Sequence, residues 1–402
     1  MNETFSKLVE MTAFGNLTWG TILMLFIAFL LLYLGIRKQY EPLLHVPIGF
    51  GVMLANLPLA GLGIVDNSLV QAADGTYMNL LDIANEYGIM NFLYYALIKT
   101  GLLPPIIFMG VGALTDFGPM LRNLKLSLFG GAAQIGIFSV LIVAVLVGFQ
   151  LNEAASLAII GGADGPTAIY TTIKLAPHLL GPIAISAYSY MALVPVIIPL
   201  VANLTMKKSE FKIHMKKMDR TFPPKHEIKH LKTVKIIFPI VLGVVVALFV
   251  PSAAPLVGML LFGNLVKEIG ANTSRLSEAA SGPIMNTATI FLGLTVGATM
   301  TAEVFLRAQT LGIIIGGFFA FAISVAGGIY AVKIHNMFAK KKINPLVGAT
   351  GLSAVPMASR VANEIALKHD RTNHILQYCM ASNVSGVICS AVTAGVLITF
   401  LG

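Results

Sequence analysis

Apolar positions along this chain do not alternate with polar ones at the spacing of a half-buried strand or a surface helix. They run together, in ten stretches at 20–36, 43–65, 92–121, 126–150, 179–206, 234–250, 252–268, 284–306, 309–333 and 376–401. A helix needs about 20 apolar residues to cross a bilayer core, so these stretches predict ten spans. The first begins beside Glu3 and Glu10, ends in Arg37-Lys38 and has no small-residue cleavage site. It reads as a retained span and not as a signal peptide. Two further apolar stretches, 154–175 and 345–366, are interrupted by glycine and proline. They predict re-entrant hairpins, because broken backbone is tolerated at membrane depth only where protein or a wet cavity surrounds it.

Charged residues between the stretches set the threading. Residues 206–235 carry ten Lys and Arg against three acids, the mark of a cytoplasmic loop. Arg37-Lys38, Arg122 with Lys125, Lys333 to Lys342 and Lys368 to Arg371 belong on the same side. The segment 66–91, with Asp66, Asp74, Asp82 and Glu86 and no base, suits the outside. Were 154–175 and 345–366 full crossings, Arg122 and Lys125 would fall opposite the 206–235 loop. As hairpins they leave every basic cluster inside except the lone Arg307, with both termini outside. A short repeat agrees: Ile107-Phe108-Met109-Gly110 before Gly112-Ala113 resembles Ile290-Phe291-Leu292-Gly293 before Gly297-Ala298, and the broken stretches follow at nearly equal offsets. The expected fold is an all-α polytopic membrane protein of two inverted five-span repeats, 1–206 and 234–402. Each holds one Gly/Pro-broken re-entrant hairpin (154–175 and 345–366), and a basic cytoplasmic loop, 207–233, joins them. Broken helices at matching places in inverted halves point to a midplane transport site.

Composition narrows the function classes. Hydrophobic residues are 56% and charged residues 11%, with a mean hydropathy of +0.82; soluble domains carry about 25% charged residues. Disorder is excluded on the same ground. The net charge of +9 is accounted for by loops that orient the chain, so no nucleic-acid partner is expected. Cys379 and Cys389 read as free thiols, and most histidines fall in loops (His214, His226, His230, His335, His369). Neither a disulfide framework nor a His/Cys metal centre follows. No phosphate loop or Ser-His-Asp set is present.

The chemistry therefore concentrates in the hairpins. The first reads Gly161-Gly162-Ala163-Asp164-Gly165-Pro166-Thr167. Glycine permits close backbone approach and proline forces a break, so unwound carbonyls, Asp164 and the hydroxyls of Thr167 and Thr171 offer oxygens to a cation. An intramembrane aspartate marks a functional site; the bland alternative is a helix cap, with the threonines bonded to their own backbone. The second runs from Asn344 through Gly348 and Ser353 to Arg360 and Glu364. Asn344 and Ser353 are neutral oxygen donors. Arg360 either pairs with Glu364 four residues on or faces an anionic substrate, which a guanidinium suits. Tyr190 is read either as a proton relay or ion ligand or as packing. Asn383, among Ser382 and Ser385, needs a partner for its amide.

At these residues the chain resembles the β subunits of biotin-dependent, sodium-pumping decarboxylases, most specifically in GGADGPTAIY (161–170), in NPLVGATGLSAVPMASR (344–360) and from Asn85 to Leu121. The family's essential aspartate falls on Asp164 and its tyrosine on Tyr190; its Asn, Gly, Ser and Arg fall on Asn344, Gly348, Ser353 and Arg360. The resemblance implies catalytic roles for Asp164, Tyr190, Ser353 and Arg360, and substrate contacts from Arg360 and Gly348. With the residue reading above, it makes Asp164, Thr167, Asn344, Ser353 and Asn383 the sodium ligands. It further implies decarboxylation of carboxybiotin, presented by a partner and not covalently held here, coupled to Na+ export with a proton consumed. A biotin carrier, a carboxyltransferase α subunit and a small membrane-anchored subunit are the implied partners, around a homo-oligomeric β core in the bacterial cytoplasmic membrane. The rival class is a sodium-coupled secondary transporter of a small carboxylate.

The threading makes one direct prediction. Single cysteines at Lys212 and at Gly402 should react with impermeant reagents from opposite faces of the membrane; labelling of both from one face would reject the hairpins.

Overall fold

Helices form where the apolar stretches predict them, in a computed structural model that describes residues 12–39, 41–65, 67–71, 76–222 and 230–402. Glu3, Glu10, Asp66, Asp74, Lys225, His226 and Lys229 lie outside the described residues. Among those described, seven helices are long and apolar enough to cross a membrane: Trp19–Ile36, Leu124–Val147, Leu231–Phe249, Pro251–Ile269, Ala271–Ala298, Ala308–Phe338 and Leu376–Leu401. Two more apolar stretches are helix pairs with a break, Leu80–Ile98 with Leu103–Leu114 and Pro177–Met191 with Val194–Thr205. No sheet forms among the described residues, where one isolated bridge joins Gln71 and Tyr77. The chain is an all-α, multi-pass membrane protein.

Boundaries shift where chemistry other than apolarity decides them. The stretch 43–65 yields only Pro42–Ala55, because Pro58 cannot continue a helix and Gly61 turns to φ 62°. The stretch 284–306 slides back to Ala271–Ala298, since residues such as Ser274, Arg275 and Glu278 carry helix without being apolar. Both Gly/Pro-broken stretches are interrupted, and neither is a continuous helix. In the first, Leu151–Ala158 passes through a tight turn at Ile159–Gly162 into Gly165–Leu175. The second has a single turn at Leu346–Ala349 before Met357–His369.

The chain folds as two compact units. One comprises Met1–Leu103, Leu180–Pro182 and Asn286–Gly312. In it, the helix ending at Ala298 crosses Pro42–Ala55 at Gly297 and Gly51, and a Cβ on either glycine would strike the other helix's backbone. Asn56 locks this crossing: its amide donates to Met300 O at 2.8 Å and its oxygen accepts from Ala302 N at 3.0 Å.

The other unit comprises Pro104–Leu179, Ile183–Met285 and Ile313–Gly402 and contains both Gly/Pro-broken stretches, the expected hairpins. Its Leu103–Leu114 helix crosses Ala254–Ile269 at Gly112 and Gly263, again with no room for a Cβ. Asn264 donates to Thr115 O at 2.7 Å. Gly112 and Gly297, the glycines of the short internal repeat, thus perform the same task twice, each beside an asparagine. Membrane helices gain little from hydrophobicity alone, so such close approaches and interhelical hydrogen bonds carry the packing. Gly348 of the second hairpin meets Gly328 backbone to backbone, and Gly351 lies against Gly130 and Gly386.

The described part of the basic loop is folded. Lys208–Phe211 and Met215–Thr221 are short helices, lying as a cap on the second hairpin and the chain beyond it. Phe211 stacks on His369, with ring centroids 4.3 Å apart and planes 9° apart. Glu210 pairs with Lys333 at 3.2 Å and Asp219 with Lys341 at 2.6 Å. Tyr378 also donates to Asp219.

Candidate functional site

Asp164 owes its position to the break in the first hairpin. The turn at Ile159–Gly162 ends at Ala163, a non-glycine residue at φ 53°; such a conformation costs about 1–3 kcal/mol and persists where the surroundings impose it. Pro166 then starts the Gly165–Leu175 helix in its first turn, where its missing N–H costs nothing. Asp164 is the residue before that helix, and its Oδ1 accepts from Thr167 N at 3.2 Å. The cap reading is therefore realised, but deep inside the protein, with Asp164 only 5% exposed.

The other carboxylate oxygen reaches the rest of the unit. Oδ2 accepts from Ser353 Oγ at 2.6 Å and from Ser390 Oγ at 3.2 Å. Ser353 N donates in turn to Gly162 O at 2.9 Å. The tips of the two hairpins, 189 residues apart in sequence, are tied by a main-chain and a side-chain bond. The Thr167 hydroxyl lies beside the same carboxylate, whereas Thr171 bonds its own helix at Thr167 O, 2.8 Å away. Among the described residues Asp164 has no cationic partner; every donor it meets is neutral. Those residues also contain no group of three or more His, Cys, Asp or Glu fit for a metal ion. The oxygens at Asp164 suit a hard monovalent cation instead.

The remaining expected residues divide. Asn383 borders the cluster: its amide donates to Leu352 O, next to Ser353, and its oxygen accepts from Ser359 Oγ at 3.1 Å. Asn344 is committed elsewhere. Its amide donates to Phe211 O and Ile213 O, both at 3.1 Å, and its oxygen accepts from Leu346 N at 3.1 Å. It holds the cap to the second hairpin, with Asn373 as a second clasp to Ile213 O at 2.9 Å. Gly348 sits where the hairpin backbone meets Gly328, a place that admits no side chain. Among the described residues Tyr190 makes no bond to Asp164; its hydroxyl donates to Ile314 O and its ring packs on Phe318.

Arg360 occupies the first turns of the Met357–His369 helix and is exposed, as is Glu364. Among the described residues the two make no ion pair. Glu210 and Asp219 of the cap are engaged by lysines, and Asp370, just past the end of this helix, by the hydroxyl and N–H of Thr372, which hold its carboxyl below the usual range. No acid among the described residues pairs with the guanidinium, which can meet an anion.

Over residues 20–401 the chain matches the model of the Na+-transporting oxaloacetate decarboxylase beta subunit. The chain belongs to this family. It is 47% identical to the methylmalonyl-CoA decarboxylase subunit beta of Propionigenium modestum, over 97% of both chains. It is 42% identical to the oxaloacetate decarboxylase beta chain of Klebsiella pneumoniae, over 99% of both. With the glutaconyl-CoA decarboxylase subunit beta of Acidaminococcus fermentans it shares 43% identity over 99% of this chain and 97% of that one. The resemblance carried by the two hairpins therefore extends over the whole β-subunit length.

Sequence reasoning missed three groups near Asp164. Ser390 is one serine among several in an apolar helix. Tyr188 lies two positions before Tyr190, on the other side of its helix, and packs its ring against Gly165. Gln134 interrupts an otherwise apolar span, and that interruption is the one sign the sequence offers.

Asn344 makes a prediction of its own. Asn344→Ala leaves the carbonyl of Phe211 without this donor and that of Ile213 with Asn373 alone, and loss of a buried partner costs about 1–3 kcal/mol. Trypsin should then cut between Lys207 and Arg220 at least about ten-fold faster than in the parent, as local opening is made easier. Unchanged cleavage would free Asn344 from this clasp.

Proposed function

We propose that this β-subunit homologue decarboxylates carboxybiotin presented by a carrier subunit and couples that reaction to sodium export. The observation that carries the proposal is the buried Asp164 carboxylate, bonded only by neutral donors and tied through Ser353 to the other hairpin. A buried anion without a countercharge is costly, and a sodium ion supplies the missing charge. Asp164, Thr167 and Ser353 are the ligands the geometry favours, with Asn383 beside them. Asn344 enters the ligand set only by leaving the cap.

Loss of CO2 from carboxybiotin breaks the N–CO2 bond and leaves its electron pair on the ureido nitrogen, which takes up a proton. Arg360 is assigned to the anionic carboxylate before that step, because its guanidinium is exposed and unneutralised by Glu364. Gly348 shapes the same hairpin through its contact with Gly328. Tyr190 is assigned the proton relay, which requires its hydroxyl to exchange Ile314 O for water or substrate. Relatives named for three different acids at 42–47% identity fit a chain that meets the carboxylated carrier and not the acid itself. They also favour a decarboxylase subunit over a secondary carboxylate transporter. A biotin carrier, a carboxyltransferase α subunit and a small membrane-anchored subunit complete the proposed complex, around a homo-oligomeric β core.

Two variants test the assignment in the purified complex. Asp164→Asn keeps shape and removes charge, and it should abolish sodium-dependent turnover with assembly intact; normal sodium activation would reduce Asp164 to a cap. Arg360→Ala removes the partner of an anion that the docked carrier covers, a loss of about 2–5 kcal/mol or roughly 30- to several-thousand-fold in decarboxylation. Arg360→Lys should recover only part of this, since a point charge lacks the bidentate fork, and Glu364→Gln should be mild. Turnover of Arg360→Ala near the parent rate would refute the substrate role.

A further inference from the structure

Gln134 and Tyr188 are buried polar side chains, each with an oxygen that meets no partner among the described residues. Gln134 stands at the break between the Leu124–Ala133 and Ile135–Val147 helices and is 5% exposed. Its Nε2 donates to Gly130 O at 3.1 Å, which leaves Oε1 unused. A methyl group built on Gly162 would stand 4.0 Å from that oxygen and 3.1 Å from Ser390 Cβ. The free amide oxygen therefore faces the same side of the hairpin tip as Ser390, which donates to Asp164.

Tyr188 approaches from another helix, Leu180–Ala192, and is 1% exposed. The hydroxyl end of its ring packs against Gly165, the residue after Asp164, so closely that a Cβ there would overlap it. Its oxygen lies within electrostatic reach of the Asp164 carboxylate. Two uncommitted oxygens thus flank the short segment Gly162–Gly165 that carries the buried charge.

A buried oxygen left without a partner is destabilising, and two flanking the segment that carries one carboxylate call for a shared partner. Hard cations take oxygen ligands. An amide oxygen and a phenol oxygen add no charge, so one carboxylate with these two balances a single positive charge and would leave a divalent ion uncompensated in a dry site. We propose that Gln134 and Tyr188 are further ligands of the cation held at Asp164, supplying two neutral oxygens that set its affinity for Na+. The inference rests on the sodium site proposed above and adds residues that the hairpin motifs do not contain.

The test uses the purified decarboxylase complex carrying Tyr188→Phe or Gln134→Met, each close to the parent in shape. Two readouts are followed against Na+ concentration: decarboxylation, and the cation-induced rise in melting temperature of the complex. Each variant should raise half-saturating Na+ at least about ten-fold, the equivalent of one lost ligand at 1.4 kcal/mol. Most of the lost rate should return at saturating Na+, and the thermal response should move to the same higher concentration. A purely structural role would lower the melting temperature without moving half-saturation, and that result overturns the proposal. Should Gln134→Met fail to assemble, Gln134→Asn, which withdraws the same amide by one methylene, must show the shift; an unmoved half-saturation refutes the inference. Asp164→Asn, measured alongside, separates the two readings. Normal sodium activation in that variant overturns both, whereas loss of activation there with unmoved Gln134 and Tyr188 variants overturns this inference alone.

Discussion

One carboxylate, held out of water and bonded only by neutral groups, sets the constraints on the larger unit. Taking an ion from water into a poorly hydrated interior costs several kcal/mol even after relaxation. Asp164 recovers part of that through a main-chain N–H and two serine hydroxyls. These come from its own helix, from the second hairpin and from the last helix. Three elements that are remote in sequence must therefore keep hydrogen-bond distance from one side chain, and the backbone around them is shaped to allow it. Gly348 on Gly328, and Gly351 on Gly130 and Gly386, let the second hairpin lie where Ser353 reaches Asp164.

The same reliance on near contact recurs elsewhere in the chain. Gly51 with Gly297 and Gly112 with Gly263 are crossings without side chains between them, and Asn56 and Asn264 fasten them by bonding the carbonyls just past the end of the crossing helix. In lipid, where tails are as apolar as leucine, an amide bonded to a carbonyl is a better fastener than another methyl group. That the arrangement appears twice, on matching pieces of a short sequence repeat, ties the repeat to packing.

Much of this was legible from residue order. Apolar runs located the helices because a bilayer-crossing helix has no polar face to disguise it, and Gly161 to Pro166 marked a break because those residues cannot continue a helix. Boundaries were less legible, since helices such as Ala271–Ala298 extend through polar residues that hydropathy does not register. Of the candidate site, the breaks single out Asp164 and Ser353, and the fold bonds the one to the other. Tyr190 and Tyr188 differ by two positions and face different neighbours, and only the fold says which ring meets Gly165. Asn344 reads as a cation ligand because it is polar beside a break; the fold spends its amide on two carbonyls of the basic loop, a contact no local pattern announces.

The folded cap has a kinetic consequence. Its two acids, Glu210 and Asp219, are engaged by Lys333 and Lys341 of the helix and turn beneath, while Lys207, Lys208, Lys212, Lys216, Lys217 and Arg220 are exposed. Charge of one sign is thus sorted to the outer surface and fixed there by the fold. At physiological ionic strength the field of such an array extends about 8 Å before salt screens it. It acts on an arriving molecule before any contact is made, speeding negative visitors and slowing positive ones. Its influence falls on how often encounters succeed, and is weakened by added salt, more than on how tightly a docked complex holds.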